Sequence, residues 1–90
     1  MILRITKASI GGPFRLRLTF NDGIEKVVDL KDELTGPIFQ PLRDRAFFDQ
    51  VVLDRVCGTV IWPNGADFAP EALHELPDCS KAESSSLVVA

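Results

Sequence analysis

The sequence predicts a single small α+β domain: a mainly antiparallel sheet of about five strands with two short helices, in the order β-β-β-α-β-β-α. Three observations carry that prediction. Residues 14–20 alternate apolar and polar without a break, which is the period of a half-buried strand. Asn21-Asp22-Gly23 then supplies a hairpin turn into a second apolar run. Helix-start signals occur only twice, at Asp44 and at Pro70, with short strand-like runs between them.

Taken in order, residues 3–9 are apolar and β-branched and predict a first strand, ended by Gly11-Gly12-Pro13. In the second strand the Phe and Leu residues face inward, and Arg15, Arg17 and Thr19 face out. Loop length fixes the register of the hairpin that follows. A two-residue Asp-Gly loop would pair Phe20 with Glu25 and set Leu16 beside Asp29, placing charges on the apolar face. A three-residue loop pairs Phe20 with Ile24, Leu16 with Val28 and Phe14 with Leu30, and sets Arg15 opposite Asp29. The second register keeps one face apolar, with Gly23 in the left-handed position of a bulge. It leaves Lys26 pointing inward, at an edge where its stem can reach water.

Residues 31–35 predict a turn or one helical turn, which Gly36-Pro37 breaks. Ile38, Phe39 and Leu42 are expected in a loop pinned to the core. Asp44 is placed to cap a short helix over residues 45–50. Residues 51–54 and 59–62 predict the fourth and fifth strands. Pro63-Asn64-Gly65 is a turn signal, and Pro70 suits the first position of a helix over residues 71–76. From Pro77 the chain becomes polar and serine-rich. The domain is therefore placed at residues 1–76 and a disordered tail at 77–90.

The chain has 90 residues, enough for one domain. Its 46 % hydrophobic and 26 % charged content is that of a globular protein. A net charge of −3 argues against a dedicated nucleic-acid binder, which would carry a basic face. No apolar run reaches the roughly 18 residues that a membrane crossing requires. The stretch from Met1 to Ile5 has neither the long apolar segment nor the cleavage site of a signal peptide, so a cytoplasmic protein is expected. Cys57 and Cys79 stand far apart and outside any C-x-x-C pair. Reduced thiols are expected at both.

Several segments together resemble one family, domain of unknown function 2442. They are RLRLTFNDG at residues 15–23, Val28-Asp29-Leu30, IFQPLRD at residues 38–44, residues 48–51, GTVIWPNGAD at residues 58–67, and Ala72-Leu73-His74-Glu75. The Trp-Pro-Asn-Gly-Ala-Asp segment is the most specific of these. The resemblance covers nearly all of residues 2–76 with its order intact. It implies a compact bacterial α+β domain. Some members of the family stand alone, and others are fused to a helix-turn-helix DNA-binding domain. No activity, cofactor or catalytic residue is established for it. The stretch 77–90 is too short for such an added domain, so nucleic acid is not expected as a partner of this chain alone.

No catalytic group, cofactor or metal site is recognisable, and the reading leans away from an enzyme. The first candidate binding surface is the turn carrying Trp62, Asn64, Gly65 and Asp67, with His74 on the following helix. As a ligand site, that turn would present backbone N–H groups to an anion. In the structural reading Trp62 is core, Asn64-Gly65 makes the turn, and Asp67 accepts from free N–H groups of the turn or helix start. His74 has Glu71 three residues earlier as its expected partner. Arg4, Arg15 and Arg17 form the second candidate, a basic patch on the outer sheet face suited to phosphate. Cross-strand pairing of Arg15 with Asp29, and of Arg17 with Glu25 or Asp29, is the alternative. The leading expectation is a non-enzymatic interaction or regulatory module, with a homodimer or a small bacterial protein as partner. A small-molecule or anion-binding domain built on the Trp62–Asp67 turn, and a nucleic-acid-associated regulator, are the alternatives.

Overall fold

The run that alternates most cleanly forms the middle of the main sheet. In the computed structural model, which describes residues 2–79, β1 (Ile5–Gly12), β2 (Arg15–Phe20) and β3 (Glu25–Asp29) form an antiparallel sheet in the order β1-β2-β3. The β2–β3 register is the one the three-residue loop requires. Leu16 lies opposite Val28 and Arg15 opposite Asp29. The Phe20 amide donates to the Ile24 carbonyl at 2.8 Å, and the Leu30 amide to the Phe14 carbonyl at 2.9 Å. Gly23 closes the loop at φ +89°, a conformation that a side chain would resist.

Alternation along β2 buries Leu16, Leu18 and Phe20 completely or nearly so. They join Ile5, Val28, Leu30, Leu34, Leu42, Phe48, Val60, Trp62, Ala66 and Leu73 in one apolar cluster. Burying each Leu or Phe contributes about 1.5–3 kcal/mol against the entropy of ordering the chain. Ile38, expected against the core, is half exposed at 49 %. The loop is held there through the backbone: the Ile38 carbonyl accepts from Asn64 Nδ2 at 2.8 Å.

All five expected strands are present, divided three and two. β4 (Val52–Asp54) and β5 (Thr59–Ile61) form their own antiparallel hairpin. It meets the main sheet through a bond from the Ile5 amide to the Gly58 carbonyl, 2.8 Å. The register of β1 shifts between Ile5 and Lys7, and such a bulge bends the strand and interrupts pairing. Gly58 has φ +70°, and a Cβ there would come within 2.8 Å of Arg4 Cζ. Only glycine allows the Arg4 side chain to cross this corner.

Asp44 caps α1 (Arg45–Phe48) by accepting from the Ala46 amide at 3.0 Å, as its position predicts. Residues Lys31–Glu33 and Gln40–Arg43 form short 3-10 turns. The last helix, α2 (Pro70–Glu75), lies beside β3. The inward Lys26 finds its use there: Nζ donates to the carbonyls of His74 and Leu76 at 2.6 and 2.7 Å. A cation on the last carbonyls of a helix satisfies orphan acceptors and complements the helix dipole.

The start of the expected tail is engaged with β3. The Cys79 amide donates to the Val27 carbonyl at 2.7 Å, and Asp78 Oδ1 accepts from the Val27 amide at 3.1 Å. The rest of the segment expected to be disordered, residues 80–90, lies outside the described residues.

Candidate functional site

The Trp62–Asp67 turn is built almost wholly from internal contacts. Trp62 is buried, and its Nε1 donates to the Phe48 carbonyl at 2.9 Å. The turn is closed by bonds from the Trp62 amide to the Ala66 carbonyl and from the Gly65 amide to the Trp62 carbonyl, both 2.9 Å. Asn64 spends both ends of its amide, with Oδ1 accepting from the Ala66 amide at 3.1 Å and Nδ2 on the Ile38 carbonyl.

Asp67 departs from the structural role expected of it. Its backbone forms an isolated antiparallel bridge with Ile61, and its side chain is exposed. The N-cap of α2 is Ala69, with no side-chain capping bond. The bridge fixes Asp67 in an extended stretch, and Pro70 removes one of the free N–H groups that a cap would serve.

His74 sits on α2 with a partner other than the expected Glu71. Its Nε2 donates to Asp22 Oδ2 at 2.8 Å, and its ring meets Phe20 edge-on with centroids 4.8 Å apart. The Ile24 amide, followed by His74 itself, holds the Asp22 carboxyl below the usual aspartate range. This arrangement ties the hairpin loop to the last helix, and among the described residues it brings His74 no hydroxyl or thiol to activate.

The arginine patch is broken up by the fold. Arg4 turns away to the β4–β5 corner, where Nη2 donates to the carbonyls of Arg55 and Val56 at 2.5 and 3.2 Å. Arg15 pairs with Asp29 at 3.5 Å across β2 and β3, as the register predicts. Arg17 is the more exposed of the two arginines on the outer sheet face, 3.5 Å from Glu25. The Arg17 and Glu25 side chains are both more than half exposed.

Around Arg17 the fold gathers residues that the sequence did not single out. A shallow cleft of about 450 Å³ lies between the outer face of β1–β2 and the end of β4. Lys7, Arg17 and Arg55 line it, together with the hydroxyl residues Thr6, Ser9 and Thr19. Among the described residues, Glu25 is its one carboxylate and Leu53 its large apolar residue. Thr19 Oγ1 donates to Glu25 Oε2 at 3.3 Å, so Glu25 is shared between two neighbours. Lys7 and Arg55 make no ion pair among the described residues.

Lys7 was hidden from sequence reasoning by parity. In an unbroken strand it would share the buried face of Ile5. The shift between Ile5 and Lys7 puts Lys7 opposite Thr19 on the outer face and Ala8 opposite Leu18 on the inner one. Arg55 arrives from the β4–β5 turn and belongs to no alternating pattern.

The two thiols are free. Asp54 beside Cys57 raises its thiol pKa, which disfavours the nucleophilic thiolate. Among the described residues, no three His, Cys, Asp or Glu side chains come together as a metal site. No helix is long and apolar enough to cross a membrane.

Residues 5–76 match the model of a protein family described as protein of unknown function, DUF2442. The chain belongs to the DUF2442 family. No curated protein matches it significantly. Among solved structures, this DUF2442 domain is similar to the crystal structure of "Putative DNA Binding Protein NE0471" from Nitrosomonas europaea. The TM-score is 0.73 at 24 % identity, covering 94 % of this chain and 53 % of that one. The likeness extends over the whole DUF2442 fold, and this chain spans about half the length of that protein.

Proposed function

We propose that this DUF2442 domain is a non-enzymatic binding module of a regulatory protein, and that it binds through the outer face of the β1–β3 sheet. One observation carries this reading. Lys7 and Arg55 make no ion pair among the described residues around a shallow open cleft, whereas His74, Asp22, Lys26 and Asn64 are engaged in holding elements together. Unspent charge on a rigid sheet is suited to recognition. A catalytic site would instead bring a nucleophile and an oriented base within reach of one reacting atom.

A second reading, a nucleic-acid-associated regulator, is favoured by the likeness to NE0471, whose name refers to DNA binding. It places the same sheet face at the point of contact.

The test is isolation of the full chain from its native cell, with hydrogen exchange on whatever complex is recovered. Protection centred on Lys7, Arg17 and Arg55, and lost in the Lys7→Glu/Arg55→Glu variant, is the expected result. A monomeric chain that recovers no bound component, or a footprint on the Trp62–Asp67 turn instead, overturns it.

A further inference from the structure

We infer that the cleft between β1–β2 and the end of β4 is a phosphate-binding site formed by Lys7, Arg17 and Arg55 with the hydroxyl of Ser9. The inference rests on the binding-module reading and names the ligand chemistry of that same surface. Among the described residues, three cations face one carboxylate, a local excess of positive charge on an acidic chain. Lys7 and Arg55 have no ion pair among the described residues. The Arg17–Glu25 contact of 3.5 Å lies at the long limit of a hydrogen bond. It leaves the other donors of the guanidinium available.

The Ser9 hydroxyl beside the cations adds a neutral donor, which favours phosphate over a plain carboxylate. A phosphate group has three or four oxygens to fill, and guanidinium, ammonium and hydroxyl donors together are the usual means of filling them. Thr6 Oγ1 donates to the Thr19 carbonyl at 3.2 Å, which holds it on the cleft wall. Among the described residues no aromatic side chain lines the cleft, so they offer a base or ring no stacking platform there. Recognition therefore falls on the phosphate itself, and the open shape admits either a free phosphorylated compound or a phosphodiester chain lying across the sheet.

The experiment uses the purified full chain and tripolyphosphate, added at low ionic strength and followed by the amide resonances of Lys7, Ser9, Arg17, Thr19 and Arg55. Saturable shifts centred on these residues are expected. The Lys7→Ala/Arg55→Ala variant should bind on the order of a hundredfold more weakly, since it removes two charge-assisted bonds, each worth about tenfold. Arg43→Ala/Arg45→Ala removes the same charge from exposed positions outside the cleft and should bind as the wild type does. Absence of saturable shifts, or equal weakening by both double variants, overturns the site. A short DNA duplex added in parallel identifies the source. Shifts at the same residues, reversed by tripolyphosphate, indicate a nucleic-acid backbone, and tripolyphosphate binding alone indicates a small phosphorylated compound. Equal binding of poly-glutamate shows that the cleft reads charge alone and overturns the phosphate assignment. If phosphate fails while the native complex still protects Lys7 and Arg55, only the ligand class falls, and the binding-module reading stands.

Discussion

The Trp62–Asp67 turn and the outer face of the β1–β3 sheet make opposite use of their polar groups. In the turn, the indole N–H and both ends of the Asn64 amide are bonded within the domain. On the sheet face, Lys7 and Arg55 are left without an ion pair among the described residues. The most distinctive segment of the sequence is thus the one most fully consumed by folding. The group of side chains best placed to meet another molecule comes from three separated segments, none with a motif. Distinctive sequence here marks a demanding piece of architecture.

The contrast can be broken by measuring stability at both places. The largest effect is expected for Trp62→Ala, about 3–5 kcal/mol in chemical unfolding, because it empties the centre of the core and orphans the Phe48 carbonyl. Lys26→Met should cost roughly 1–2 kcal/mol, the value of a charged donor on two helix-end carbonyls. A loss confined to a few tenths would mean that α2 does not depend on that lysine. Asn64→Ala should cost about 1 kcal/mol by releasing the Ile38 loop and the turn. An unchanged midpoint for it would make the turn self-sufficient.

Acid should weaken the two aspartate-closed turns. The carboxyls of Asp54, bonded by the amides of Cys57 and Val56, and of Asp22, bonded by the Ile24 amide, are held below the usual aspartate range. A depressed folded-state pKa gives stability that is fully present above the unfolded value and is lost as pH falls through the folded one. The melting temperature should therefore drop as the pH falls below the usual aspartate range, and the drop should shrink in Asp54→Asn. The smallest effects belong to exposed groups. Asp67→Ala and Lys7→Ala/Arg55→Ala should each stay within about 0.5 kcal/mol of the wild type. A larger loss at Asp67 would restore a capping role for it, and a larger loss at the cations would give them a structural role after all.

Much of the fold was legible because local rules agreed with one another. The Asn21-Asp22-Gly23 loop, the alternation of β2 and the need for one apolar face together allowed a single register for β2 and β3, and with it the Arg15–Asp29 pair. Asp44 capped α1 because a cap acts over only a few residues. The site was less legible, since its members meet only in three dimensions. The partner of His74 is Asp22 in a distant hairpin loop, where helical spacing pointed to Glu71. Lys7 reached the outer face through a bulge that strand periodicity does not reveal. Arg4 left the expected patch because Gly58 opened a path across the β4–β5 corner.

The short contact between Cys79, Asp78 and β3 also bears on how the molecule meets copies of itself. In the β2–β3 ladder the closely bonded pairs fall at Leu16–Val28 and Leu18–Lys26, so the amide and carbonyl of Val27 point away from β2. Left bare in mid-strand, they would offer a template on which another extended chain could add. Asp78 and Cys79 occupy both groups. Two residues outside the core thereby cover the mid-strand groups of the β3 edge and remove them as a template for another chain.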